Sequence, residues 1–222
     1  MTFVRLCRLK LLILALHKST MLDVNLLIEK GGSCRELNSG EVIFNQGTPA
    51  VFYYQLVSGR VRWADLLVNG KEVLHSMVEP GESFGELPIF DGGVYAASAI
   101  AEVPSKVIRL RIESFIELLQ EEPSLNLNFT KLFAKRLRYH FFLTHILSSN
   151  SPEFILKSLI DYYNEEGKYI CGECKRLLLT RQQLANITGL RVETVIRTIK
   201  NLEKESKLEV VRGKVFIPAD GI

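Results

Sequence analysis

Between Gly81 and Ala99 the chain carries no Arg and no Lys. The stretch, GESFGELPIFDGGVYAASA, otherwise has the make-up of a phosphate cradle: glycines spaced for tight turns and a lone acid, Glu86, between Gly85 and Leu87. A buried phosphate without a cation is costly, so this gap argues against a phosphorylated signal held in the usual way. Cysteine is also scarce. Cys7, Cys34, Cys171 and Cys174 are the only four in 222 residues, which excludes a disulfide framework and points to a reducing cytoplasm. The apolar run Leu11–Leu16 is six residues long, far short of the roughly 20 needed to span a bilayer. Basic residues precede it, as in a signal peptide, but no small-x-small cleavage site follows. Met21 comes soon after, so residues 1–20 read as an upstream start chosen in error or as an extension. Neither a Walker or dinucleotide fingerprint nor a nucleophile–base pair is found, which leaves no enzyme chemistry to build on.

What is present suits a globular chain. Apolar residues make up 47% and charged residues 24%, enough for real cores. Charge is unevenly spread. Residues 21–120 carry 8 basic and 13 acidic side chains, residues 121–151 carry 4 and 2, and residues 152–222 carry 12 and 10. An acidic block followed by a mildly basic one fits a sensing part joined to a nucleic-acid-binding part.

Residues 36–112 read as short strands separated by glycine turns: EVIF (41–44), VFYYQLV (51–57), RVRWADLLV (60–68), EVLHSMV (72–78) and a last strand over Ala99–Ile112. That spacing predicts a small sandwich or barrel. The period then changes. Glu113–Gln120 looks helical, and Leu125–Ser148 has no Gly or Pro, with apolar residues at Leu125, Phe129, Leu132, Phe133, Leu137, Phe141 and Ile146. This predicts one long helix of about 36 Å, placed between two domains as a dimer seam. SSNSPEF (148–154) reads as a hinge, with Ser151 capping a new helix and Pro152 at its first position.

The most informative stretch is LTRQQLANITGLRVETVIRTIKNLEKE (179–205). Thr180 and Gln183 form a capping box that opens a short helix, and Gly189 supplies a turn. A second helix runs from about Val192 to Glu205, with Val195, Ile199 and Leu202 as its buried stripe. Its other face presents Val192, Glu193, Ile196, Arg197 and Lys200. This is a helix-turn-helix with a polar recognition face. Glu193 can accept from a cytosine amino group and Arg197 can donate twice to a guanine; spacing also allows the two to pair with each other. LEVVRGKVFI (208–217) reads as two strands around Arg212-Gly213, a wing. Arg181, Arg191, Lys200, Arg212 and Lys214 are the candidate phosphate contacts.

On these residues the chain resembles the Crp/Fnr family of bacterial transcription regulators over nearly everything after residue 21. GEVIFNQGTPAVFYYQLVSGRV and PGESFGE resemble the cyclic-nucleotide-binding fold, and TRQQLANITGLRVETVIRTIKNLEK resembles the family's DNA signature. The resemblance implies an α+β chain. Its parts would be a β-roll effector domain over 21–121, a dimerisation helix over 122–149 and a winged helix-turn-helix over 150–222. Within the signature, VETVIR is nearer the fumarate-nitrate branch, with Val192 where the catabolite-activator branch has Arg. Glu193 and Arg197 match residues that read the G·C pair of a TGA core, which implies a homodimer on a two-fold TTGA-like site and RNA polymerase as a partner. Ile196 stands where that branch has Ser, which puts the outer base in doubt.

The resemblance also sharpens the missing cation. In cyclic-nucleotide-responsive members, Gly-Glu-Leu leads about ten residues later to an Arg that neutralises the cyclic phosphate. Gly85, Glu86 and Leu87 match, but Tyr95, Ala96 and Ala97 stand at the later position. The helix residues that touch adenine align with the bulkier His140 and Phe141. The expectation is therefore a regulator whose effector domain does not answer cAMP, with Glu86 left to cap backbone amides and another small-molecule effector left open. Two alternatives stay in view: a cyclic-nucleotide regulator with a non-standard phosphate anchor, and a haem or metal redox sensor. CGEC (171–174) has a spacing that can hold zinc or form a redox disulfide, but no second pair accompanies it, and paired thiols in a turn between strands are expected. His140 and His145 lie on the long helix, where one could ligate haem. No cofactor and no metal is expected.

Overall fold

A computed structural model of the chain describes residues 21–218, so the expectation for residues 1–20 lies outside the described residues. The chain divides into two compact units, one up to Thr130 and one from Lys131.

Among the described residues the first unit begins with α1 (Val24–Glu29), capped by Asp23, and continues into eight strands. Strands β1 (Ser33–Leu37), β8 (Ser105–Arg111), β3 (Phe52–Ser58) and β6 (Ser83–Phe84) form one sheet in that order. Strands β2 (Val42–Phe44), β7 (Ser98–Ala101), β4 (Val61–Leu66) and β5 (Glu72–Val78) form the other. Every pairing is antiparallel, with Tyr54 opposite Arg109 and Phe84 across β3, and Trp63 opposite Ala99 and Ser76 across β4. A short helix, α2 (Leu87–Asp91), sits between β6 and β7.

Strand β3 shows how the layers form. Its side chains alternate across the sheet. Tyr54 and Leu56 join an apolar core with Leu37, Ile43, Phe44, Val61, Val78, Phe84, Tyr95, Ala99, Ala101 and Val107. Tyr53 is instead stacked on Phe115 at 4.3 Å and edge-on to Phe129 at 6.2 Å. These come from α3 (Ile112–Glu121) and α4 (Ser124–Leu147). Gln55 is fully buried because its amide bridges the backbone of Leu22, accepting from its N at 3.0 Å and donating to its O at 2.8 Å; a buried amide is tolerated only when paired in this way.

Three readings of the sequence change with the structure. The segment Ala99–Ile112 is not one strand. It is β7 and β8, which lie in different sheets, and Ile112 starts α3. Pro104, with no N–H to donate, breaks the run, and the corner is closed by Ser105 Oγ, which accepts from Arg60 N at 3.0 Å. Gly59 faces that corner at φ +92°, and a Cβ there would lie 2.7 Å from Pro104 O, so only glycine fits. Strand β1 was not foreseen because its residues, Ser-Cys-Arg-Glu-Leu, are mostly exposed and show no alternation. The apolar stripe of α4 contributes in part to the cores. Leu125 and Phe129 are buried within the first unit, and Ile146 is buried within the second.

In the second unit, α4 packs on α5 (Pro152–Glu165): Phe142 stacks on Tyr162 at 4.4 Å, and the Tyr139 and Tyr163 hydroxyls meet at 2.6 Å. Burial pushes both phenols above their ordinary value. Ser151 caps α5, its Oγ accepting from Phe154 N at 3.2 Å, with Pro152 in the first turn, as its sequence requires. Helix α6 (Arg181–Thr188) begins with the full capping box of Thr180 and Gln183 and ends at Gly189, φ +73°. Helix α7 (Val192–Lys204) follows and buries Val195, Thr198, Ile199 and Leu202. Strands β9 (Glu209–Val211) and β10 (Lys214–Phe216) make a hairpin about Arg212 and Gly213, both at positive φ. A third arm, residues 175–177, lies on the far side of β10, where Leu177 N donates to Val215 O at 2.9 Å. Among the described residues no helix is long and apolar enough to cross a membrane.

Candidate nucleic-acid interface

Helix α7 is amphipathic because its apolar residues recur at i, i+4 and i+7. Burying Val195, Ile199 and Leu202 turns Glu193, Ile196, Arg197 and Lys200 to the surface, with Val192 half-buried at the first position. Asn201 Nδ2 fixes the helix from the other side by donating to Glu153 Oε1 on α5 at 3.1 Å. Glu193 and Arg197 lie one turn apart on the open face. The ion pair that their spacing allows is not formed, and neither takes part in a salt bridge among the described residues. An exposed pair of this kind is worth well under about 1 kcal/mol, so both side chains are available to an incoming partner.

Arg191 occupies the N-cap of α7, exposed and making no side-chain cap. The N–H groups of the first turn therefore receive no cap from the Arg191 side chain, and a helix N-terminus in that condition attracts anions. Arg212, Gly213 and Lys214 are exposed at the tip of the hairpin. Arg181 differs from the other candidate phosphate contacts. It is half-buried, and its Nη1 donates to Gly213 O at 2.6 Å. It ties the start of α6 to the wing tip. No local pattern signals that contact, because the two residues are 32 positions apart.

The cassette after β6 lies in the first unit. Gly85 has φ +72°, and a Cβ there would stand 2.7 Å from Phe44 Cζ and 3.1 Å from Tyr95 Cε1. Tyr95 is buried and stacks on Phe44 with ring centroids 3.7 Å apart, and its hydroxyl donates to Phe52 O at 3.3 Å. Burial raises its phenol to about 12. Ala97 is buried beside it in sequence, and Ala96 is exposed, its carbonyl accepting from Gln46 Nε2 at 3.2 Å. Leu87 is half-buried at the start of α2.

Glu86 is fully buried, and its Oε1 accepts from Ser83 Oγ at 3.1 Å. It occupies the N-cap of α2 but makes no side-chain cap to that helix. The expectation that it caps backbone amides is therefore corrected for α2: the φ/ψ of Glu86 is helical rather than extended, and an N-cap side chain needs the extended form to reach back. His140 and Phe141 are both exposed on the second unit's stretch of α4.

Two family models match the chain in order. The cyclic nucleotide-binding domain matches residues 34–122, and the Crp-like helix-turn-helix domain matches residues 155–219. The cyclic AMP receptor protein of Thermus thermophilus is 28% identical over 179 residues, 80% of each chain. The solved structure of the Thermus thermophilus catabolite activator protein is 26% identical, covering 88% of this chain and 89% of that one at a TM-score of 0.52. FixK2 from Bradyrhizobium japonicum, at 20% identity, aligns with a TM-score of 0.70 over 84% of this chain and 92% of its own.

Proposed function

This chain belongs to the Crp/Fnr family of transcription regulators, and from that premise we propose that it is a homodimeric, sequence-specific DNA-binding regulator that does not need cAMP. The observation that carries the DNA reading is the open face of α7, where Glu193, Ile196, Arg197 and Lys200 are exposed and none of the four is used to hold the fold. In this reading Arg197 reads guanine, Glu193 reads cytosine on a TTGA-like half-site, and Val192 and Ile196 contact the flanking bases. Arg191, Lys200, Arg212 and Lys214 meet phosphates. Arg181 acts through the wing it holds. RNA polymerase is the downstream partner.

The dimer reading is supported by the part of α4 left uncovered. Leu127, Leu137 and Phe141 are 57%, 55% and 67% exposed. Together with Thr130, Ala134 and Thr144, also exposed, they follow a 3–4 spacing along one face, the spacing of a coiled-coil seam. Leu137→Arg should lower the mass seen by analytical ultracentrifugation from two chains to one.

The cAMP-independent reading is supported by the cassette. The relatives named for cAMP carry a different expectation, but here no Arg or Lys lies between Gly81 and Ala99, and Tyr95 is stacked into the roll's own core. Fluorescence anisotropy of a TTGA-type palindrome against a scrambled duplex, with and without cAMP, tests both halves. Tight binding to the palindrome alone, unchanged by cAMP, is expected. Binding that appears only with cAMP would overturn the cassette reading, and equal binding to both duplexes would overturn the specific-regulator reading.

A further inference from the structure

The function above leaves one motif unused: the CGEC turn. Cys171 and Cys174 stand at the tip of a hairpin whose arms are joined by Cys171 N to Arg176 O at 2.8 Å and Leu178 N to Tyr169 O at 2.8 Å. The turn closes with Lys175 N donating to Cys171 O at 2.9 Å, with Lys175 at φ +53°. This tight i to i+4 turn holds both cysteines within one five-residue loop. Cys174 is exposed and Cys171 half-buried, and both are free. Among the described residues no group of three His, Cys, Asp or Glu gathers to hold a metal. The return arm of the hairpin is the third strand of the wing sheet: Arg176 bridges Phe216, Leu177 N donates to Val215 O, and Ile217 N donates to Lys175 O at 3.1 Å. The thiols are thus wired through one strand to β10, which carries Lys214 at the wing tip.

We propose that Cys171 and Cys174 form an exchange site for low-molecular-weight disulfides, and that closing their disulfide tightens the wing's hold on DNA. The second half rests on the DNA-binding reading above. The chemistry balances as two exchanges. The Cys171 thiolate attacks one sulfur of RSSR, forming a mixed disulfide and releasing RS⁻. The Cys174 thiolate then attacks Cys171 Sγ, forming the Cys171–Cys174 bond and releasing the second RS⁻. The two protons of the cysteines end on the two released thiols; the protein is oxidised by two electrons and RSSR is reduced.

The order of attack follows from the surroundings. Burial pushes the Cys171 thiol up, but the Cys174 thiol, the N–H groups of Cys174 and Glu173, and Arg176 outweigh it and hold Cys171 below its ordinary value. Burial and the Cys171 sulfur push Cys174 up. The sign of the coupling follows from stiffness. The disulfide locks the hairpin that flanks β10, so less ordering is left for the complex.

The test uses the full chain with Cys7 and Cys34 replaced by Ser, equilibrated with oxidised glutathione or with dithiothreitol. Free thiols are alkylated and mapped by peptide mass, and the same samples are titrated with palindrome and scrambled duplex. The expected result is one Cys171–Cys174 disulfide, and affinity for the palindrome about threefold tighter when it is closed. Cys174→Ser should stop at a glutathione mixed disulfide on Cys171, and Cys171→Ser should react far more slowly at Cys174. Absence of the internal disulfide overturns the exchange site. A disulfide that leaves affinity unchanged or weaker overturns the coupling. Should neither redox state prefer the palindrome, the DNA reading itself falls, and the alkylation map alone still decides the exchange site.

Discussion

The cassette of the roll and the open face of α7 treat their chemistry in opposite ways. In the cassette the polar group is turned inward: Glu86 is fully buried against Ser83, and Tyr95 is stacked on Phe44 in the core. On α7 the polar groups are turned outward, and burial is left to Val195, Thr198, Ile199 and Leu202. Side chains in the first region hold the fold. Those in the second are spared from it. A residue committed to packing changes stability when it is lost, whereas one left free changes recognition.

That contrast can be broken most forcefully at Tyr95. Tyr95→Ala removes a buried ring stacked at 3.7 Å, and a large-to-small change of this kind costs about 3–5 kcal/mol. Urea unfolding monitored on the roll should show the loss. If stability barely moved, Tyr95 would not be a core residue.

Arg197→Ala should do the reverse. Stability should shift by less than about 0.5 kcal/mol, because the side chain is exposed and takes part in no salt bridge among the described residues. Affinity for the palindrome should fall by about 1–3 kcal/mol, with scrambled DNA much less affected. An equal loss on both duplexes would make Arg197 a phosphate contact rather than a reader of bases.

Arg181→Ala falls between the two. It removes the 2.6 Å bond to Gly213 O, worth about 0.5–1.5 kcal/mol, and frees the wing tip. Because the wing meets phosphates in this reading, binding to palindrome and scrambled duplex should weaken by similar factors. Hydrogen exchange should quicken at Val211 and Lys214, the pair nearest the hairpin's tip. Loss of specificity without faster exchange would mean that Arg181 touches bases directly.

Much of this division was legible in the sequence. Strand β5 runs over the residues its pattern predicts, Glu72–Val78. The capping box at Thr180 and Gln183 and the buried stripe of α7 also stand as their spacing requires. These are local signals, settled by turn chemistry and periodicity. What was not legible depends on partners distant in sequence. Strand β1 exists because β8 offers it a ladder, Cys34 opposite Ile108, and its own residues carry no strand pattern. The α4 stripe reads as one seam because the helix is continuous. Its apolar residues divide only once β3 and α3 cover Phe129 and the second unit buries Ile146, while Leu137 and Phe141 stay exposed. At the cassette, the missing cation was visible in the sequence, but the ring stacked on Phe44 was not, since Phe44 lies 51 positions before Tyr95.

The smallest effect expected at neutral pH sharpens the comparison at high pH. Tyr95→Phe keeps the ring and removes only the hydroxyl that donates to Phe52 O at 3.3 Å, a long bond whose loss should cost less than about 1 kcal/mol. Burial holds the phenol at about 12 in the folded chain, above the value of about 10 in an unfolded one. A raised value means that the folded state keeps its proton where the unfolded state releases it. The stability that the neutral phenol contributes is therefore fully present below pH 10 and is lost as pH rises from about 10 to 12. Tyr54, whose phenol burial also raises, adds to the same fall, so Tyr95→Phe should flatten the alkaline slope without abolishing it. Unfolding midpoints in urea at several pH values between 9 and 12 would resolve the two. An unchanged slope would mean that the Tyr95 hydroxyl reaches water, and the cassette would then be more open than its packing against Phe44 implies.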